Sequence, residues 1–289
     1  MAKVMVMTDR VAGIPRELAE EYQINVIPAA HIIFDGKDYI EGVTLSVTEA
    51  YQLIKKDPDK FTTSALNPGY FLEEYQKLSQ KSPDILHIVL SSALSANFKT
   101  ANLAAETLKK ESPKTNLRVF DAKTVAGAQG LIVLAAARAA AQGKSLDEVV
   151  KVAEKARENT RGVMMLDTLR YVYRTGRMSK LASRIAALFN IKPINKMNKD
   201  GTLEFVDKVR NREAGYQKLI DLIKADVETN SLHFMVMHAA APEMAERFSD
   251  LLRQNFDCQR ILISEYSPVM GYGAGPGAIF VGYHPDIEF

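Results

Sequence analysis

Ile88-Val-Leu-Ser-Ser-Ala-Leu-Ser-Ala-Asn-Phe-Lys-Thr-Ala101 decides how the rest of the chain is read. The apolar run at 85–90 leads into it and has the character of a strand buried on both faces, as in a parallel sheet. The run breaks into a hydroxyl-rich turn (Ser91, Ser92, Ser95). A helix then carries Phe98, Ala101, Ala105 and Leu108 along its apolar side. Ser95 stands where an N-cap belongs, which directs the unpaired amides of the first turn toward the end of the strand. Amides, hydroxyls and the positive end of a helix dipole together make a receiver for an anion. A serine there also simply caps its own helix, so the turn by itself leaves both readings open.

Strands and helices alternate on either side of this unit up to about residue 160. Strands are expected at 4–7, 37–40 and 117–121, a second extended run at 25–34, and a strand or loop at 61–65. Asp35-Gly36 marks a tight hairpin turn. Ser46-Val-Thr-Glu49 and Ser145-Leu-Asp-Glu148 are capping boxes, and Asn67-Pro68 opens a helix with proline at its first position. An Ala-rich helix occupies 127–142. Beyond 160 the pattern changes. Helices are expected at 168–174, 179–189, 212–227 and 243–255, with a hairpin around Lys199-Asp200-Gly201 and strands at 163–166, 232–237, 260–264 and 278–283. The expected fold class is α/β, with two domains. The first, 1–160, is a sheet sandwiched by helices. The second, 161–289, is a smaller α+β domain of split βαβ flavour.

A length of 289 residues favours two cores over one. Net charge is only +2 and the cations are interspersed with acids, so no basic stripe for nucleic acid is present. Cys258 is the only cysteine, which excludes an internal disulfide and a cysteine-built metal site. The start of the sequence shows no signal-peptide pattern, and the apolar run at 130–141 contains Arg138 and is too short for a bilayer. A cytoplasmic protein is the expectation.

Three clusters could carry chemistry: Thr62-Thr63-Ser64 ahead of a helix start, the Ser92/Ser95/Asn97 turn, and Thr175-Gly-Arg177-Met-Ser179 in a tight link. An arginine in such a link offers a planar fork to a carboxylate or phosphate. Val269-Met-Gly-Tyr-Gly-Ala-Gly-Pro-Gly277 is dense in glycine but precedes a strand, so both nucleotide-loop readings fail. A turn in close contact with a neighbour is the expectation there. Asp9, after the first strand, either is functional or ties down its loop. The histidines show no ligand spacing, and no Gly-x-Ser-x-Gly elbow occurs. Eight of eleven methionines lie beyond residue 160, where they fill a core or line an adaptable apolar surface.

Taken in order, these segments resemble the DegV family of bacterial fatty-acid-binding proteins over essentially the whole chain. The likeness is carried by Thr8-Asp9, Ile27-Pro28, Phe34-Asp-Gly-Lys-Asp-Tyr39, Thr63-Ser64, Leu90-Ser-Ser-Ala-Leu-Ser95, Gly176-Arg-Met-Ser179, Ile191-Lys-Pro193 and Gly275-Pro-Gly277. The resemblance implies two α/β domains holding one long-chain, palmitate-like fatty acid between them, with no other cofactor and no catalysis. The carboxylate would lie against Thr63, Ser64 and Ser95, with Arg177 closing over it. Some members present the acid to an ATP-dependent fatty acid kinase partner. The chain departs from the family pattern at Arg10-Val11, Ala65-Leu66 and Ala96-Asn97, and Gly273 stands where the family carries a histidine. Two other readings remain: a phosphotransferase or hydrolase for a small phosphorylated substrate with Asp9 as base, and a partner-binding subunit with incidental lipid.

Overall fold

Val4 and Val6 face one way and Met7 the other, and the same alternation recurs at Leu86 and Ile88 against Ile85 and Val89. Apolar side chains on both faces demand cover on both sides, and that requirement organises the first domain. The computed structural model describes residues 4–177 and 191–286. β1 (Met5–Asp9), β2 (Asn25–Ile27), β6 (Asp84–Val89) and β7 (Asn116–Asp121) form an all-parallel sheet in the order β2-β1-β6-β7. α3 (Pro68–Ser79) and α4 (Asn97–Glu111) cover one face with Phe71, Tyr75, Ala101 and Leu108. α1 (Arg16–Glu21), α5 (Ala126–Ala141) and α6 (Leu146–Asn159) cover the other with Leu18, Ile132 and Val149.

Between β2 and β6 lies a small antiparallel sheet of β3 (His31–Phe34), β4 (Lys37–Ile40) and β5 (Phe61–Ser64), in the order β4-β3-β5. Its hairpin turns at Asp35 (φ 49°) and Gly36 (φ 78°), the pair of positive φ values a two-residue turn of matching twist requires. The Ser46–Glu49 capping box opens α2 (Val47–Lys56), and Asn67 caps α3 by accepting from the Tyr70 amide at 2.9 Å.

The second domain is built on six strands: β8 (Arg161–Met165), β9 (Lys192–Met197), β10 (Leu203–Val209), β11 (Ser231–His238), β12 (Asp257–Glu265) and β13 (Ile279–Pro285). Their order is β10-β9-β8-β13-β11-β12. The last strand inserts antiparallel between β8 and β11, which is the split arrangement. α8 (Arg212–Asp226) and α9 (Pro242–Asn255) cover the outer face with Tyr216, Leu219, Phe248 and Leu252.

The inner face turns Met164, Met235, Met237 and Phe280 toward the first domain. α5 lies between the two sheets and only its Arg138 and Ala141 escape burial. Small residues permit that position. A Cβ on Gly127 would stand 2.4 Å from the Met235 carbonyl oxygen, and one on Gly282 would stand 2.3 Å from the Ala128 nitrogen. The Ala and Gly content of 126–141 is therefore a packing requirement on both sides of one helix.

Three expectations need correction. The helix expected at 168–174 is only α7 (Val172–Thr175), stopped by Gly176 at φ 68°. Part of the glycine-dense segment forms α10 (Pro268–Ala274), where a turn was expected, with proline in its first turn. Its contacts are as close as expected: a Cβ on Gly275 would lie 2.1 Å from the Tyr171 ring. Third, Ser95 is not the N-cap of α4. Ala96 holds that position without a side-chain bond, and the Ser95 hydroxyl accepts from the Asn97 amide at 3.2 Å. The helix expected at 179–189 lies outside the described residues.

Candidate functional site

Parallel sheets leave a crevice beyond the carboxyl ends of their strands, where loops turn outward. Here that crevice is roofed by the second domain. Val11 and Leu90, just past β1 and β6, form its floor, Ala29 and Ala30 one side, and Met164, Phe280 and Leu203 the roof. Val269 and Met270 of α10 complete the apolar wall. The free space between atoms, counted out to the mouth, is about 880 Å³.

Polar groups gather at one end. Thr63 and Ser64 reach it from the end of β5, Ser95 from the turn before α4, and Thr175 and Arg177 from the end of α7. Arg177 bridges the domains: its Nη1 donates to the Thr175 carbonyl at 2.7 Å and its Nε to the Leu94 carbonyl at 3.4 Å. It has no carboxylate partner among the described residues. The Leu94 and Ser95 amides are already bonded to the Ser91 carbonyl, at 3.0 and 3.1 Å. The turn therefore presents hydroxyls and a guanidinium at this end, with few of its amides left over.

Gly273 also lines the cavity, and a Cβ there would meet only the Thr175 methyl at 3.5 Å. The remaining expected residues lie elsewhere. Thr62 is exposed on the opposite face of β5. Ser92 points outward and donates to Asp121 at 2.5 Å. Asn97 is fully buried, where its Nδ2 donates to the Ala29 carbonyl at 2.6 Å and its Oδ1 accepts from the Leu66 amide at 3.3 Å. Asn97 thus fixes the wall without facing the cavity. Nothing in the sequence distinguishes it from a contact residue, since both roles call for a small amide beside the turn.

Two buried carboxylates hold the walls from behind. Asp9 accepts from the Val11 amide at 3.1 Å, the Leu90 amide at 3.0 Å and the Gln129 side chain at 3.2 Å. It ties down its loop, and its oxygens face protein donors rather than the cavity. Burial pushes its pKa up to about 6, with the Leu90 amide and Gln129 opposing the rise and the nearby Glu41 adding to it. A carboxyl with a raised folded-state pKa is easier to ionise in the unfolded chain. Stability should therefore be fullest below about pH 4 on this account and decline as pH rises toward 6. Asp9→Asn should flatten that decline, read as the urea midpoint against pH, and Glu41, also raised by burial, should leave a remnant slope. An unchanged slope would contradict the assignment.

Glu41 was not singled out in the sequence. Its Oε2 accepts from the Ala29 amide at 2.8 Å and its Oε1 from the Val269 amide at 3.3 Å, so one side chain spans both sides of the cavity. No group of three or more His, Cys, Asp or Glu side chains suited to a metal ion is found among the described residues.

The fold is thus a two-domain α/β one with a largely apolar cavity at the domain junction, whose lining includes Thr63, Ser64, Ser95, Thr175 and Arg177. The DegV family model, described as an uncharacterised protein family, matches residues 3–286, and the chain belongs to that family. A DegV domain-containing protein of Caldanaerobacter subterraneus is 31% identical over 279 residues, covering 96% of this chain and 97% of that one. Among solved structures, DegV of Bacillus subtilis, described as a fatty acid binding protein, superposes with a TM-score of 0.85 at 26% identity, covering 99% of this chain and all of that one. A DegV family protein from Ruminococcus gnavus, solved with vaccenic acid, gives a TM-score of 0.89 at 23% identity over 98% of this chain and all of that one, a likeness of fold.

Proposed function

We propose that the protein is a non-enzymatic carrier that holds one long-chain fatty acid in the cavity between residues 1–160 and 161–289. The observation that carries this reading is the lining of the cavity, apolar but for Thr63, Ser64, Ser95, Thr175, Arg177 and the Tyr272 phenol. The described fatty acid binding of the Bacillus subtilis relative supports it. A palmitate-like tail of about 14 methylenes contributes roughly 11 kcal/mol gross on burial. One hydrogen bond to a charged group adds about 1.5–3 kcal/mol. The tail therefore supplies most of the affinity and the head group sets the direction of entry. A carrier with its carboxylate at the mouth is suited to hand that group to an ATP-dependent fatty acid kinase, and a cytoplasmic setting fits that role. No helix among the described residues is long and apolar enough to cross a membrane.

Denaturing extraction of the purified protein followed by mass spectrometry should release a C16–C18 acid in near-stoichiometric amount. Arg177→Ala should weaken binding of the acid by about 10- to 100-fold while leaving a matched fatty alcohol nearly unchanged. Extracts without acyl chains, and no binding of added acid, would defeat the carrier reading. Equal losses for acid and alcohol would defeat the role given to Arg177.

A further inference from the structure

A second cleft opens beyond the carboxyl end of β7, where the β9–β10 hairpin tip meets the first domain. Its free space, counted out to the mouth, is about 1030 Å³, and Lys123, Thr124, Arg157, Glu158, Arg161 and Lys199 stand in its walls. The hairpin is anchored beside it by the Ser91 hydroxyl, which donates to the Gly201 carbonyl at 2.8 Å. The cleft thus draws Lys123, Thr124 and Arg157 from one domain and Arg161 and Lys199 from the other.

Four cations share this space with one carboxylate in the wall. None of the four forms an ion pair among the described residues. Two acids stand nearby: Asp121 accepts from Ser92 and from the Lys123 amide, and Asp200 accepts from Thr202 while its charge also faces Lys123. Arg157 lies over the Phe120 ring at 4.6 Å and donates one bond to the Asp121 carbonyl, while Arg161 donates to the Glu158 and Thr160 carbonyls. Those bonds hold both forks through Nη1 alone, and their remaining donors have no partner among the described residues. Like charges gathered in a cleft repel one another, and a bound oxyanion would relieve that repulsion.

We propose that this cleft is a second ligand site, separate from the apolar cavity, and that it takes a phosphate group, free or carried on a small ester. Bound there, the phosphate clasps the hairpin tip against the first domain. The hairpin carries Leu203 into the roof of the apolar cavity, so occupancy of the cleft stiffens that roof. The site does not depend on what fills the cavity.

Calorimetric titration of the full chain with orthophosphate and, in parallel, with a nucleoside monophosphate tests this. Saturable one-to-one binding is expected, weakening as ionic strength rises. The doubly substituted Lys123→Ala, Lys199→Ala protein alters two exposed side chains and should keep its unfolding midpoint while losing about tenfold or more in affinity. The Lys55→Ala, Lys56→Ala protein loses the same charge from exposed positions outside the cleft and should bind with full affinity, which separates the cleft from a general effect of net charge. Tighter binding of the monophosphate assigns the site to an ester, and equal binding assigns it to free phosphate. No saturable binding of either probe, full affinity retained without Lys123 and Lys199, or an equal loss without Lys55 and Lys56 overturns the proposal.

Discussion

Glu41→Ala should lower stability by roughly 1–4 kcal/mol, because a buried backbone amide, worth about 1–3 kcal/mol when orphaned, and a half-buried one lose their acceptor together. Those amides belong to Ala29 and Val269, which lie on different walls of the cavity. Glu41 itself is fully buried, so bulk water does not reach these amides in the wild type. Glu41→Gln keeps one acceptor oxygen and should fall between the wild type and the alanine variant. Urea unfolding ranks the three proteins. Retention of a bound fatty acid should fall in the same order, since both walls are released by the same loss. A wild-type midpoint for Glu41→Ala would refute the clamp.

Gly282→Ala is the second large effect. The added Cβ would meet the backbone at Ala128 and Gly127, at 2.3 and 2.4 Å, and backbone cannot rotate aside as a side-chain tip can. Overpacking at this site should cost about 3 kcal/mol or more. Gly143→Ala provides the contrast. Gly143 has φ +80° but nothing within 4 Å of its notional Cβ, so only the left-handed backbone penalty of about 1–2 kcal/mol applies. Thermal or urea unfolding of the pair separates close approach from backbone preference. Equal losses would mean that the α5 contact with β13 is looser than its geometry.

Features encoded within a few residues were legible before the fold was seen. The Ser46–Glu49 box, the Asn67-Pro68 start and the Asp35-Gly36 turn each carry their physical cause in adjacent positions. The parallel sheet was legible in the apolar character of 85–90, which only His87 interrupts. Position within a turn was less so. Ser95 and Ala96 are adjacent, and the cap fell to Ala96 because the Ser91 carbonyl draws the Leu94 and Ser95 amides into one more tight turn. α10 was hidden by its glycines, which weaken a helix in isolation but here admit Tyr51 and Tyr171 against its backbone. Glu41 was illegible for a different reason. In the sequence it resembles any acidic residue after a hairpin, and its burial is created by Val269, 228 positions away. Of the expected contact residues, Thr63, Ser64, Ser95, Arg177 and Gly273 meet around one cavity, while Thr62, Ser92 and Asn97 do not.

Because α5 packs into both sheets at backbone distance, the two halves of the molecule share a spine. A clamshell that swings open about a hinge needs a seam that can be emptied, and here the seam is filled by a helix belonging to both shells. Traffic into the interior must therefore pass through yielding surface segments around the polar mouth, while the frame stays shut. The speed of exchange would then be governed by local loosening near Arg177 and Leu94, and would be insensitive to anything that merely strengthens the union of the halves.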